Sequence, residues 1–466
     1  MLKTIFIREI QQNVSSLRFQ ISLFIVIITF AIGTVSYIIS YKDNIKNFEK
    51  YEKENIKRIR EDAKESASIL AVNNRMFMHR PKSNGFISDC KDKYFPNQYN
   101  YSAYYVRDFQ IGKGSVNPFI KDSNEINWVF IVTVILSFLS LLFSFDLISG
   151  EKETRTLALC LSNSISRGTL FFGKYLSVIT VIMLETIIGV IISLIILLIF
   201  GDIQFTNIII IDILGFLVFT LIFVACVTAF GLLTSVITKK SNISLLYSLA
   251  IWLIFIVIIP NTSIFWANKL FKIEHVEAVI NKKDKEADEI NRNAPEGSWS
   301  SNSGNLFHPE HELRAKNQTN LLNNEKKYMD AYNNSRLRQL ESTRLFTLFS
   351  PVCLFNYITE AYLGGGYLRF KKNWNGLHVY QKQFLGFFKN FDAKDNKSPH
   401  WYNPYENYST TRKFVDISEV PVYKEKQILF GERLQYLSNY LIIMIIYTGV
   451  IFFLGFAVFV KYDVRG

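Results

Sequence analysis

The sequence predicts an α-helical polytopic membrane protein, with six transmembrane helices and a mainly helical domain outside the membrane. Three observations carry that prediction. Of the 466 residues 49% are hydrophobic and the mean hydropathy is +0.14, which is unusually apolar for a water-soluble domain. The apolar residues gather into six blocks, near 19–41, 126–148, 175–200, 208–237, 243–264 and 437–460. Each is long enough to cross a hydrocarbon core of about 30 Å as a helix. Two long polar stretches, 42–125 and 265–436, separate the first block from the second and the fifth from the sixth.

The first block is too long for the apolar core of a signal peptide, and no small-x-small cleavage site closes it before Tyr41-Lys42-Asp43. It is read as a retained span. Beyond it Ile45, Phe48, Ile56, Ile59, Ala63 and Leu70 recur near helical spacing among charges, which predicts a helix running on from the span. Pro81 breaks the pattern, and an aromatic, loop-like passage follows through Tyr94-Phe95-Pro96. In the second polar stretch a charged helix is predicted over about 268–292, stopped by Asn293-Ala294-Pro295-Glu296-Gly297, and a long polar helix over about 310–348. Ser350-Pro351 supplies an N-cap and a first-turn proline for a short aromatic helix, Val352 to Leu363, that stops at Gly364-Gly365-Gly366. It is too brief to span, which leaves two placements: on the membrane surface, or packed under the polar domain. The remainder, through Trp401, Tyr405 and Val420-Pro421-Val422, reads as loops with a few short strands.

Charge sets the orientation. Lys3, Arg8 and Arg18 precede the first span, Lys152, Arg155, Arg167 and Lys174 lie between the second and third, Lys239 and Lys240 follow the fourth, and Lys461 and Arg465 follow the sixth. The turn from Gly201 to Asn207 holds no Lys or Arg. The positive-inside rule then places both termini and the 149–174 segment in the cytoplasm, and both polar stretches outside. The net charge of +12 is scattered among acids, as in Glu49-Lys50-Tyr51-Glu52-Lys53-Glu54, the pattern of a solvated surface and not of a nucleic-acid interface. Four cysteines give no disulfide framework, although Cys90 and Cys353 share the outer side and a bond between them is permitted.

The segment between the second and third spans is more patterned than a connector needs. It opens Asp146-Leu147-Ile148-Ser149-Gly150-Glu151-Lys152-Glu153-Thr154-Arg155-Thr156-Leu157, a glycine hinge at the membrane exit followed by an acidic-basic turn. A short apolar helix (Leu157, Leu159, Leu161) and a basic re-entry, Ser166-Arg167 through Gly173-Lys174, complete it. Charged ends around an exposed apolar helix suit docking into a groove on a cytoplasmic partner.

This stretch resembles the signature of ABC-2 type transporter permeases, the membrane subunits of ATP-driven exporters. Ser149, Gly150, Glu151, Glu153, Thr156, Leu157, Ser162, Ser166, Arg167, Gly173 and Lys174 match it, whereas Arg155 stands where the family usually has Gly and Ser164 where it often has Pro. The resemblance extends to the six-span, type V exporter-like layout, to the amphipathic segment Leu2 to Phe19 (a cytoplasmic N-terminal helix over 1–18) and to the basic tail 461–466. A subgroup similar to multicopper-enzyme-maturation permeases carries large outer insertions, and Phe307-His308-Pro309-Glu310 and Leu348-Phe349-Ser350-Pro351 look like landmarks of that kind. The resemblance implies an ABC ATPase subunit as partner and a second permease chain, identical or not, in a bacterial inner membrane. ATP and magnesium would sit on the ATPase, and no cofactor on this chain. Ser149, Gly150, Glu151, Glu153, Arg155, Leu157, Ser166, Arg167 and Lys174 would be contact or coupling residues, none of them catalytic. An envelope protein or a lipid-linked substrate is the cargo that analogy suggests.

Other motifs carry less. Gly168 to Lys174 fits G-x-x-x-x-G-K, but Tyr175 stands where a phosphate-binding loop needs Ser or Thr, and no strand precedes it. His308 and His311 beside Glu310 and Glu312 form no third cluster and are read as solvent-facing, so no metal site is assigned. Glu185 lies in the middle of the third span, where an acid is costly; it serves either coupling or a structural hydrogen bond at a dimer seam. Asp212 and Asp146 lie near span ends, where water is close, and need no special account. The competing functional readings are a membrane-anchored receptor or assembly scaffold, which needs neither six spans nor the docking segment, and an intramembrane enzyme or ion-coupled carrier, which would place several ionisable groups at mid-membrane.

Overall fold

The structure, a computed structural model, describes residues 2–90, 98–107, 126–162, 165–294, 309–394, 396, 400 and 414–462. Helix α1 (Leu2–Val14) leads into α2 (Leu17–Glu65), whose first turn is capped by the Ser16 hydroxyl accepting from the Phe19 N–H. At 49 residues α2 is about 73 Å long. Its apolar half fits a membrane, and its charged half continues without a break to Glu65, five residues short of the Leu70 to which the helical spacing extends. Ser66 ends α2 and caps α3 (Ala67–Val72). A small antiparallel sheet follows, β1 (Arg75–Met78), β2 (Gln98–Tyr101) and β3 (Val106–Arg107), with Arg75 opposite Tyr101. β1 falls before Pro81, ahead of the expected break in the helical pattern, and β2 and β3 follow the passage read as loop-like; Tyr94 to Pro96 lie outside the described residues.

The second span comprises α4 (Trp128–Phe130), a π-helical stretch over Ile131–Leu136 and α5 (Ser137–Ser144). Short helices α6 (Ser149–Glu153) and α7 (Thr156–Ser162) lead to the long α8 (Arg167–Phe200) and α9 (Asn207–Ile237). The fifth span runs through α10 (Ser241–Trp252), a π-helical stretch over Leu253–Ile258 and α11 (Ile259–Leu270). Among the described residues six helices are thus long and apolar enough to cross a membrane, and the chain is an α-helical polytopic membrane protein. The polar domain adds α12 (Val276–Arg292), α13 (Pro309–Phe346), α14 (Pro351–Tyr362) and α15 (Gly366–Asp392), and α16 (Phe430–Lys461) is the sixth span.

Helix α9 sits at the centre of the bundle, packed by α16, α5, α14, α10 and α8. Polar pairs stitch the spans where apolar packing alone gives little preference in lipid. The Ser193 hydroxyl lies 2.5 Å from that of Thr34 and accepts from the Trp128 indole at 2.9 Å, joining the first three spans. Thr234 and Ser248 join the fourth to the fifth at 2.6 Å. The bundle has two distinct ends. One carries α1, α6, α7 and the last turn of α16; the other carries both polar stretches, with their own core built from Ile59, Ala63, Tyr99, Trp374 and Phe384. Within that domain Glu425 bonds Arg369 through both oxygens (2.6 and 3.0 Å) and pairs with His79 at 3.1 Å. Burial pushes the Glu425 carboxyl up, but these hydrogen bonds and the Arg369 charge outweigh it and hold the group well below the usual carboxylate range.

Helix α14 does not lie on the membrane surface; it packs under the polar domain, tied to α13 by the Arg344–Glu360 pair, and goes deeper than that placement required. It inserts into the bundle against α9 and α16. Ring centroids of Phe355 and Phe223 are 4.9 Å apart, and Phe223 lies sixteen residues, about 24 Å, along α9 from Asn207. Ser350 donates to the Phe255 carbonyl at 2.6 Å, and the Tyr362 hydroxyl to the Ile211 carbonyl at 2.8 Å. The N-terminal end of α14 is therefore the deep one. Gly364, at φ +62°, turns the chain out of the bundle in a conformation that favours glycine. The glycines stop α14 as expected, but a new helix, α15, starts at Gly366 and replaces the anticipated loops over 27 residues. Trp401 and Tyr405 lie outside the described residues. Cys90 lies against Gly365, whereas Cys353 lies nine residues before the end of α14, about 14 Å by helical rise, and no disulfide joins the two. Asp212 is not the solvated residue expected of a span end; it is 2% exposed and accepts from the Asn84 amide at 2.8 Å.

Candidate coupling site

The segment singled out by its sequence is built mostly of internal ties. Ser149 is fully buried, and its N–H and that of Ile148 both donate to the Ser235 hydroxyl at 2.9 Å, which seats α6 under the end of α9. Gly150 is no hinge. It lies within α6 with an ordinary backbone, and a Cβ there would meet its neighbours at normal contact distances. Glu153 accepts from the Ser241 N–H at 3.0 Å and so caps α10, where a carboxylate satisfies a first-turn donor. Lys152 donates to the last carbonyls of α9, Val236 and Thr238.

Glu151 and Lys174 meet. The Lys174 ammonium, on a side chain 4% exposed, lies 2.9 Å from Glu151 Oε1 and 2.8 Å from Glu9 Oε1. One cation therefore joins α6, α8 and α1, with Gly173 beside it letting α1 approach: a Cβ there would fall 2.9 Å from the Ile5 side chain. Glu151 does not pair with Arg167. Arg167 donates instead to the Phe459, Val460 and Tyr462 carbonyls and caps the last turn of α16, a cation at the negative end of a helix. Ser166 caps α8 through the Thr169 N–H at 3.1 Å.

What remains outward is small. Leu157 is buried against the bundle, whereas Leu159 is 68% exposed. Arg155 is exposed, in the turn between α6 and α7, and makes no ion pair among the described residues. Ser164 lies outside the described residues. The Cys160 thiol is pushed up by burial and by the Glu151 charge, so it is no activated nucleophile. The arrangement ties one exposed helix to several spans.

The family model for the ABC-2 family transporter protein matches residues 3–464. The chain belongs to that family. It is a permease component of an ABC transporter, a multi-pass membrane subunit of a family that associates with an ABC ATPase and is typically non-catalytic itself. A search of the curated proteins found no match.

In this permease the G-x-x-x-x-G-K match is not a phosphate loop. Gly168 to Lys174 form the first turns of α8, and the lysine is committed to two carboxylates. Glu185 is fully buried; Ser22 donates to its Oε1, while Oε2 has no partner among the described residues. Its hydrogen bond joins the first and third spans within one chain. His308 lies outside the described residues, and among those described no cluster suits a metal ion.

Two residues of the site escaped the sequence reading. Glu9 was legible in principle, because it shares a helical face with Leu2 and Ile5, and an acid on an apolar face needs a buried partner. Ser235 carried no signal. Arg155 explains its own departure from the family pattern: it sits at φ +61°, where glycine is at ease and other residues are strained. Arg155→Gly is therefore expected to stabilise the permease by about 0.5–1 kcal/mol, the relieved strain less the extra chain entropy of glycine. Thermal unfolding in detergent checks this, and an unchanged or lower Tm would mean that the arginine side chain makes good the strain.

Proposed function

We propose that this permease is the membrane subunit of an ATP-driven exporter, and that a separate ATPase subunit engages it through α7 and the turn before it. The observation that carries the reading is the contrast along that segment. Leu159 and Arg155 point outward while Glu151, Glu153, Leu157, Arg167 and Lys174 are tied inward to α1, α8, α10 and α16. A push on α7 is then felt by several spans at once. ATP and magnesium belong to the partner. The excess of Lys and Arg at this end favours a cytoplasmic placement of both termini in a bacterial inner membrane, with the polar domain on the far side. A second permease chain completes the assembly, and the fifth span, where Ser244 and Ser248 are the buried residues of α10, offers it a face. The far-side domain would meet an envelope protein or a lipid-linked substrate.

Leu159→Glu is expected to lower co-purification with the ATPase at least tenfold, because it places a charge in an apolar contact, and to leave Tm unchanged, because the side chain touches solvent in the isolated chain. Full retention of the ATPase and of its stimulated turnover would remove α7 as the docking surface.

A further inference from the structure

Glu185 lies midway along α8, in the seam between the first and third spans. Val26 and Phe30 on α2 and Ile182 on α8 are 0% exposed there, and a Cβ on Gly189 would fall 2.5 Å from the Phe30 ring. So close a contact excludes water, and Glu185 is itself fully buried. Its Oε1 bonds the Ser22 hydroxyl, and its Oε2 has no partner among the described residues. Among those residues no cation pairs with it. Lys174, eleven residues or about 16 Å back along α8, is held by Glu9 of α1 and by Glu151. Arg18, one turn before Ser22 on α2, donates to Asp146 at 2.7 Å. Helix α5 carries no charged residue, α9 carries only Asp212, bonded to Asn84, and α16 carries charges only at its two ends. The Cys226 thiol of α9 stands at the level of Tyr175, ten residues from Glu185 along α8. A carboxylate with one hydrogen bond and no cation is costly to bury, so the seam favours the neutral acid.

Ser22 suits both forms of the carboxyl. Its hydroxyl has one hydrogen and two acceptors in reach, Glu185 Oε1 and the Phe19 carbonyl at 2.9 Å. Directed at Oε1, that hydrogen serves a carboxylate. Directed at Phe19, it leaves a serine lone pair facing Oε1, and a proton on the carboxyl then bonds across the same gap. Rotation of one O–H exchanges the two arrangements and moves no heavy atom. We infer that Glu185 with Ser22 is a proton-binding site, filled while the first and third spans are packed as here and emptied when they part and water reaches the carboxyl. The bond made and broken is the carboxyl O–H, and water supplies and receives the proton. Proton uptake therefore favours the packed seam, and proton loss favours its opening. The inference is independent of the transport direction and of the ATPase reading.

Infrared spectroscopy of the full-length permease in an ester-free detergent tests it at about pH 6, where a carboxyl in water, with a pKa of about 4.3, is almost wholly ionised. The C=O stretching band of a protonated carboxyl, displaced in heavy water, should be present in the unaltered protein and lost in Glu185→Gln. Ser22→Ala should shift the same band, and it identifies the site where the glutamine variant does not insert. As the pH is raised from about 6 to about 9, Tm of the unaltered protein should fall by a few degrees relative to that of Glu185→Gln. Glutamine donates to Ser22 at every pH, whereas the carboxyl is left ionised in the seam once its proton is withdrawn. No such band, or a band that neither substitution alters, would overturn the site. Tm values that run parallel with pH in the two proteins would overturn its linkage to the packing of the spans.

Discussion

Replacing Lys174 by methionine is expected to destabilise the permease by about 3–5 kcal/mol and to free its N-terminal helix. Methionine keeps the length of the side chain but leaves Glu9 and Glu151 facing each other without the cation between them, in a place where their side chains are only 16% and 21% exposed. Two like charges partly withdrawn from water cost more than the lost bonds themselves. Limited proteolysis should then cut within Leu2–Val14 at protease concentrations that spare the unaltered protein, and Tm in detergent should fall. Adding Glu9→Gln and Glu151→Gln should restore most of the loss, because no charge is then unpaired. A triple variant as labile as the single one would show that the unpaired carboxylates are not the source of the loss.

The second large effect is expected at the other end of the bundle. Arg344, near the end of α13, bonds Glu360 of α14 at 2.5 Å, with side-chain exposures of 7% and 4%. Its guanidinium centre lies 4.6 Å from the Tyr357 ring centre and 4.9 Å from that of Tyr367, and Glu360 also accepts from the Tyr367 N–H at 2.7 Å. Removing one member of such a pair leaves a buried charge, so Arg344→Met should cost about 3–5 kcal/mol and Arg344→Met with Glu360→Gln appreciably less. Unfolding of the two single variants and the double variant in a mutant cycle measures this. Equal losses in single and double variants would assign the cost to the tyrosine stacking instead.

Much of the fold is legible in the sequence because a membrane simplifies the reading: an apolar run of sufficient length has few alternatives to a helix. The N-cap and proline of Ser350-Pro351 likewise locate α14 to within a residue. Its depth is not legible, since an aromatic helix of twelve residues suits a surface or an interior equally well, and what decides is the match of Phe355 to Phe223. Helix α15 was readable but overridden. Tyr367, Phe370, Trp374, Leu377, Gln381, Phe384 and Phe388 alternate by three and four, a buried helical stripe that a run of three glycines and a wealth of aromatics disguise. At the coupling site the sequence names most of the residues and misses their partners. Lys174 lies 165 positions from Glu9, and Arg167 caps a helix that ends almost 300 residues later; no local spacing encodes such pairs.

The unbroken course of α2 has a mechanical consequence. Its lower half packs along α8 inside the bundle, and its upper half is built into the distal core at Ile59 and Ala63, where the Ala63 carbonyl also accepts from the Val415 N–H at 2.8 Å. A rod about 73 Å long with no joint is a lever: a tilt of about 5° at one end displaces the other by about 6 Å. Any rearrangement of the first span thus carries the distal domain with it, by geometry alone and without a flexible relay between them.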